Sequence, residues 1–411
     1  FHRQKPRNPL VRAWRSRAVA PSLRVLERIQ PSNAGLLEAT PLTIFLTMNL
    51  AGPPLSHHPV VKKGVEFIVD SVRPDGSWPI DTNLATWLTT MSVNALGDDL
   101  PEQSRGAVHD WLLDQQYREV HPFTNADPGG WAWTDLPGGV PYADDTPGAM
   151  LAVLTLMQRR DNEIIPTADR EALANAAGWW VVRQNRDARW PTFRRAWRTQ
   201  PFDRSAADIS AHAMRALSAW LVEVAPVDSE KTLRLRAEQA LARGFRFLKT
   251  AQKPDGAWLP LWFGNQHAAD DANPTYGTAR VLAAYRDVGR LSDPEARRGL
   301  ERLIASQNED GGWGGERGTP SSVEETAVAT EILLSADADH PATRRGLAWL
   351  LDCIEADRFT EAAPIGFYFA KLWYFEKLYP LVWIAATLKT ATQCAVLNQP
   401  GETTNRTAKL E

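Results

Sequence analysis

Cysteine is almost missing from this chain. Cys353 and Cys394 are the only two, too few for a disulfide framework or a cysteine-ligated zinc site. A reducing compartment is therefore the default expectation. No stretch approaches the roughly 18 consecutive apolar residues of a membrane-spanning helix. No secretory leader pattern is legible either, and an opening on Phe1 reads as a fragment or a processed product. An excess of one charge is also lacking. Lys and Arg number 46 against 49 Asp and Glu, a net charge of −3, which gives no reason to expect a nucleic-acid partner. Strand signals are scarce. The segment 43–50 has strand character, but Pro41 and the stop at Ala51-Gly52-Pro53 fit a short helix equally well.

What the chain does have is tryptophan, 17 residues beside 7 tyrosines. The 411 residues, 44% hydrophobic and 23% charged, make an ordinary globular composition with room for one large domain or a few smaller ones. Residues 1–30 stand apart. Arg3, Lys5, Arg7, Arg12, Arg15, Arg17, Arg24 and Arg28 face a single acid, Glu27, with Leu10, Val11, Trp14, Ala18 and Val19 at helical spacing among them. Such a basic amphipathic helix suits a membrane surface. It equally suits a solvated helix packed on its own domain through the apolar stripe.

Beyond Pro31 the pattern is helical, in segments broken by Pro and Gly: 60–69, 84–96, 148–157, 206–222, 233–250, 294–306, 324–334 and 343–351. A repeat runs through them. Gly64 leads to Asp75-Gly76-Ser77-Trp78, Gly244 to Asp255-Gly256-Ala257-Trp258, and Gly299 to Asp310-Gly311-Gly312-Trp313, each Gly standing 14 residues before its Trp. Gln252 and Gln307 precede the turn in the last two. Looser copies surround Arg105-Gly106 with Gln115, Gln116 and Trp131, Gly178 with Gln184 and Trp190, and Arg345-Gly346 with Trp349. One unit reads as a helix that ends near the Gln, an Asp-Gly turn with Gly at positive φ, and a Trp folding back over the helix end. Units of this kind bury their faces only against each other. One continuous all-helical stack or ring is expected.

The candidate chemistry lies at Pro141-Tyr142-Ala143-Asp144-Asp145-Thr146-Pro147. Adjacent carboxylates crowd each other's charge, so one retains a proton. Pro147 suits a first helical turn, with Thr146 or Asp145 as its cap. Taken alone, the stretch is as well explained by capping.

The recurring Gln–Trp units resemble the repeats of the prenyltransferase and squalene–oxidosqualene cyclase group. Within it, the chain from about residue 9 to about 391 resembles the C-terminal part of squalene–hopene cyclases, the class II triterpene cyclases. The resemblance implies an all-α fold, an α/α barrel (toroid) of helical hairpins. It divides the chain into a membrane-surface segment 1–30, a catalytic barrel 31–391 and a tail 392–411, and leaves the family's N-terminal half absent. It also implies an acid. Asp144, Asp145 and Thr146 match the last three positions of the family's Asp-x-Asp-Asp-Thr motif, with Asp144 as the proton donor. Tyr142 replaces the first Asp.

By the same resemblance His212, in Ser210-Ala211-His212-Ala213, pairs with the acid. Protonated, it would favour the carboxylate left after transfer. Asp208, four residues earlier, and Asp81 supply further carboxylates of the cluster and hold the ring oriented. Tyr276 is the tyrosine linked to the acid. Trp133, Tyr368 and Phe375 line the cavity and stabilise cations, while Leu372 stands where the family has an aromatic. The Trp expected near the loop 265–275 has no assignable position. The implied substrate is squalene or a similar polyprenyl chain, cyclised without metal or organic cofactor by an enzyme resting on the cytoplasmic face of a membrane. A homodimer, or a second chain supplying the other barrel, would be its partner. Two other readings stay open. One is a barrel that binds a polyprenyl lipid without turning it over. The other is a protein prenyltransferase β subunit, for which the Asp, Cys and His of a zinc site find no setting here. Asp98-Asp99 and Asp270-Asp271 read as solvated loop acids.

Overall fold

The repeat's physics builds the fold. In a computed structural model, which describes residues 7–31, 35–122, 124–157, 165–192, 204–224, 231–367 and 371–397, each Asp-Gly turn carries its Gly at positive φ, +93° at Gly256 and +91° at Gly311. Each returning Trp donates its indole N–H to a carbonyl that the helix end leaves open. Trp258 reaches Leu248 O at 2.8 Å, Trp313 reaches Leu303 O at 2.8 Å, Trp190 reaches Trp180 O at 3.0 Å and Trp131 reaches Leu112 O at 2.7 Å. The Gln does more than close its own turn. Gln252 Nε2 donates to Gly256 O within its turn and to Glu295 O of the next repeat, at 2.9 and 2.8 Å. Gln307 spans Gly311 O and Ala342 O in the same way, both at 2.8 Å. Arg298 and Arg345 donate back to the two Gln side-chain oxygens. The motif is thus a joint between repeats.

The joints string together α1 (Pro9–Ile29), α2 (Thr40–Leu50), α3 (Pro59–Asp70), α4 (Ala85–Leu96), α5 (Glu102–Asp114), α6 (Asp145–Leu156), α7 (Thr167–Arg183), α8 (Ala207–Glu223), α9 (Lys231–Ala251), α10 (Pro274–Asp287), α11 (Pro294–Ala305), α12 (Val323–Ala336), α13 (Pro341–Glu355) and α14 (Leu378–Leu397). From α4 onward the even-numbered helices each pack on the next, and α14 closes back onto α4. The odd-numbered helices α5 to α13 pack outside them. This is an α/α barrel. Inner helices α6, α8, α10 and α12 are buried on most faces. Outer helices such as α11 and α13 keep one buried stripe and a polar face.

Several boundaries differ from the sequence expectation. The segment around 43–50 is helix, as α2. The ring begins at Ala85 rather than at residue 31, because α1, α2 and α3 pack on one another outside it. Helix α14 continues past residue 391 to Leu397, since its apolar sequence gives no stop signal there. A two-stranded antiparallel hairpin, β1 (Ile365–Phe367) with β2 (Leu372–Tyr374), precedes it. Thr146 and Asp145 do not cap α6. The helix already starts at Asp145, and Asp144 occupies the cap position without a capping hydrogen bond.

Candidate active site

Thr146 has another task. Its hydroxyl accepts the backbone N–H of Trp131 at 3.0 Å and donates to Tyr142 O at 2.9 Å. The same grip recurs around the ring. Ser210 Oγ holds Trp190 N at 3.2 Å, Thr278 Oγ1 holds Trp258 N at 3.0 Å, and Thr326 Oγ1 holds Trp313 N at 2.9 Å. Two residues before each hydroxyl stand Asp144, Asp208, Tyr276 and Glu324. The repeat therefore sets one position per inner helix, near its N-terminus, and Asp144, Asp208 and Tyr276 occupy successive copies of that position.

Asp144 Oδ1 lies 3.1 Å from His212 Nδ1, both groups buried. Burial pushes the imidazole down to about 4, against the pull of the Asp144 hydrogen bond and charge. Burial therefore works against the charged partner expected from the sequence. Asp208 shares α8 with His212 but does not bond to it. Its Oδ2 accepts Leu261 N at 3.3 Å, and its Oδ1 is buried with no hydrogen-bond partner among the described residues. Burial and the charge of Asp144 raise its carboxyl to about 7. Asp81, in a single bridge with Ala39, is raised to about 7 by burial and by Glu38. Asp145 is pushed well above the ordinary carboxylate range by burial, then by Asp144 and Asp81. The expectation that Asp208 and Asp81 orient His212 is not met. The two acids influence the cluster through charge.

Aromatic rings surround these groups. Tyr142 stands edge-on between Trp133 at 6.0 Å and Trp262 at 5.9 Å. Its hydroxyl is pushed up by burial and then by Asp144 and Asp145. Tyr276 stacks on Phe263 at 4.3 Å. Tyr379 stacks on Trp383 at 4.9 Å and accepts the Trp87 indole N–H at 2.8 Å, and Trp87 meets the His212 ring edge-on at 6.4 Å. The Trp133 carbonyl also accepts the first N–H groups of α4, from Thr86 and Trp87, both at 3.1 Å. Trp133 thus fixes the helix that carries Trp87.

Against the site read from the sequence, the structure brings together Asp144, Asp145, His212, Asp208, Asp81, Tyr142, Trp133 and Tyr276. Tyr368 lies outside the described residues. Phe375 is 60% exposed and does not face the cluster. It is the neighbouring Tyr374, the last residue of β2, that Asp81 and Asp144 act on.

The squalene–hopene cyclase C-terminal domain family matches residues 83–389. The chain belongs to this family. A squalene–hopene cyclase of Bradyrhizobium diazoefficiens is 28% identical over 336 residues, 72% of this chain and 47% of that protein. A drimenyl diphosphate synthase of Streptomyces showdoensis is 26% identical over 72% of this chain and 49% of its own length. The chain thus spans about half the length of these curated relatives. Among solved structures, the ent-copalyl diphosphate synthase of Streptomyces platensis superposes with a TM-score of 0.57 over 80% of this chain and 55% of that one, at 19% identity. The type II terpene cyclase MstE of Scytonema gives 0.53 over 92% of this chain and 99% of that one, at 12% identity. Both likenesses concern the fold.

Within this member of the squalene–hopene cyclase family, sequence reading missed Glu38, Trp87, Trp262, Phe263, Tyr374, Tyr379 and Trp383. Trp262 follows Trp258 by four residues, outside the repeat's register, so the motif pointed past it. Buried Glu38 accepts Gly138 N at 2.8 Å, tying the chain before α2 to the turn that leads into Tyr142. No local pattern could announce a contact across a hundred residues.

Proposed function

We propose that this chain begins a carbocationic cyclisation. The Asp144 carboxyl transfers its proton to a terminal carbon of a polyprenyl substrate, the alkene π electrons form the new C–H bond, and a tertiary cation results. Ring closures follow as each remaining alkene attacks the cation. The reaction ends when a proton leaves or water adds. The observation that carries this reading is the buried Asp144–His212 pair inside the aromatic enclosure. The ring faces of Trp133, Tyr142 and Tyr276 stabilise a passing cation by about 0.5–2 kcal/mol each, and exclusion of water protects it from early capture. A squalene-type chain is the substrate we favour, from the family match. Prenyl diphosphates are the second reading, since copalyl and drimenyl diphosphate synthases are also among the relatives. Tyr142 in place of a third carboxylate favours substrates easier to protonate than a plain alkene, such as an epoxide. The apolar substrate would enter from a bilayer, to which α1 would adhere.

A non-catalytic polyprenyl-binding barrel, or half of a split cyclase, is supported by the half-length span of the relatives. MstE, a chain matched over 99% of its length, supports the single barrel as sufficient. The test is incubation of the purified chain in detergent with squalene, oxidosqualene and a prenyl diphosphate, with products read by mass spectrometry. A cyclic product that falls at least about 100-fold in Asp144→Asn, the scale of a lost general acid, supports the proposal. No cyclic product from any substrate sinks it, and co-purification would then look for a second helical chain.

A further inference from the structure

Ser322-Val323-Glu324-Glu325, at the start of α12, has the spacing of a capping box, in which Ser and Glu close the helix end on each other's backbone N–H. Half of the box forms. Ser322 Oγ accepts Glu325 N at 3.1 Å. The other half does not, because Ser322 N donates to the carbonyl of the returning Trp313 at 3.0 Å. The Glu325 carboxyl is thereby released for another use. Its Oε2 accepts the Ser322 hydroxyl. Its Oε1 accepts two side-chain amides, Asn265 Nδ2 at 3.0 Å and Asn273 Nδ2 at 2.9 Å. All three of these side chains are buried.

Asn265 and Asn273 are the two ends of one loop. Trp262 and Phe263 lie just before its first end, where Leu261 N donates to Asp208 Oδ2 at 3.3 Å and Gly264 N to Gly366 O at 2.9 Å. At its second end Asn273 caps α10, its Oδ1 accepting Tyr276 N at 2.9 Å. The two ends meet again in the site, where Phe263 stacks on Tyr276 at 4.3 Å and Trp262 stands edge-on to Tyr142. One oxygen of Glu325 thus sets the spacing between the chain that carries Trp262 and Phe263 and the helix that carries Tyr276. Without Glu325, two buried amides lose their acceptor, and this tie between the loop's ends is gone. A ring stabilises a cation only from a short distance and with its face. Ring placement therefore bears on how far ring closure runs before a proton leaves or water adds.

We propose that Glu325 is a positioning residue for the aromatic wall, holding Asn265 and Asn273 together so that Phe263 and Tyr276 stay stacked beside the cation's path. The functional meaning rests on the cyclase reading, whereas the tie itself does not. Hydrogen exchange of the substrate-free chain, read by mass spectrometry, tests the tie. In Glu325→Ala, exchange over residues 261–276 should quicken by about tenfold or more, the scale of leaving buried donors unpaired. Glu325→Gln keeps an oxygen that accepts both amides and should stay near the wild type. Unchanged exchange in Glu325→Ala, or an equal rise along the whole chain, overturns the proposal. The second measurement is the product ratio with an active substrate. That ratio does not depend on how much of the protein is folded, so a merely structural loss leaves it unmoved. In Glu325→Ala the share of incompletely cyclised product should rise several-fold, and Gln should restore the wild-type ratio. An unmoved ratio with Ala, or an equal shift with Gln, overturns the role. If Glu325→Ala fails to fold, as judged by near-ultraviolet dichroism, Asn265→Ala, which breaks one of the two amide bonds, replaces it in both measurements. Absence of turnover in the wild type sinks the cyclase reading and the positioning role with it, while exchange still decides whether Glu325 ties the loop.

Discussion

At the scale of single residues, the cluster's polar groups are held at a cost to stability that pH exposes. Asp208 binds its proton up to about 7 in the folded chain, against 3.8 as its ordinary value. Its favourable contribution is complete below that ordinary value and is lost as pH rises through 7. Asp208→Asn should therefore stabilise the chain at pH 8 by up to about 4 kcal/mol, and the gain should vanish near pH 4. Urea melts at the two pH values measure the difference, and an equal effect at both would contradict the burial argument. His212 works the other way. Its folded value of about 4 lies below the ordinary 6.5, so its contribution is complete above 6.5 and fades as pH falls toward 4. Between about 4 and 6.5 the two slopes oppose and largely cancel, so each contribution shows only when the other group is replaced.

The elements are joined through glycine and tryptophan, and here the repeat explains itself. A Cβ on Gly299 would lie 2.8 Å from the Trp258 ring, and one on Gly346 would lie 2.6 Å from the Trp313 ring. These two Trp rings are each seated on the Gly of the following unit. Gly106 and Gly178 have the same place in their own units but nothing within 4 Å. Gly299→Ala should therefore cost about 1–3 kcal/mol through overpacking. Gly106→Ala should be stabilising by about 0.5–1 kcal/mol through helix propensity. Thermal unfolding of both variants tests the pair, and matching shifts would refute the seating argument.

At the scale of the whole molecule, one region is unusually apolar outside. Trp14 is 73% exposed and Leu10 78% on α1, and Phe45 is 68% and Met48 72% on α2. The apolar stripe of α1 is thus not used up in packing on the domain, though α1 does touch α3. No described helix is long and apolar enough to cross a membrane. A surface contact, with Arg12, Arg15 and Arg17 beside these side chains, is the arrangement we propose. The chain should co-sediment with anionic vesicles, more weakly in salt. Phe45→Ser with Met48→Ser should weaken binding by about tenfold or more, given about 1.5–3 kcal/mol for each large side chain buried. Binding that ignores both changes would remove this face from the contact.

Local pattern alone determined α1, α3, α4, α6, α8, α9 and α11 to α13, the Asp-Gly turns, the Trp return and the pairing of Asp144 with Asp145, because each depends on residues within about one repeat. The step from six units to a closed ring was not local. It required α14 to meet α4, nearly three hundred residues apart, and periodicity carries no term for closure. Resemblance supplied the ring and most of the cluster. Tertiary structure decided the rest. It put Thr146 on Trp131 instead of a helix end, set Tyr374 beside the acids while leaving Phe375 exposed, and brought Trp87 and Tyr379 together from opposite ends of the chain. The burial that works against a charged His212 was decided there too, since desolvation depends on everything packed around a group and on nothing that its sequence neighbours reveal.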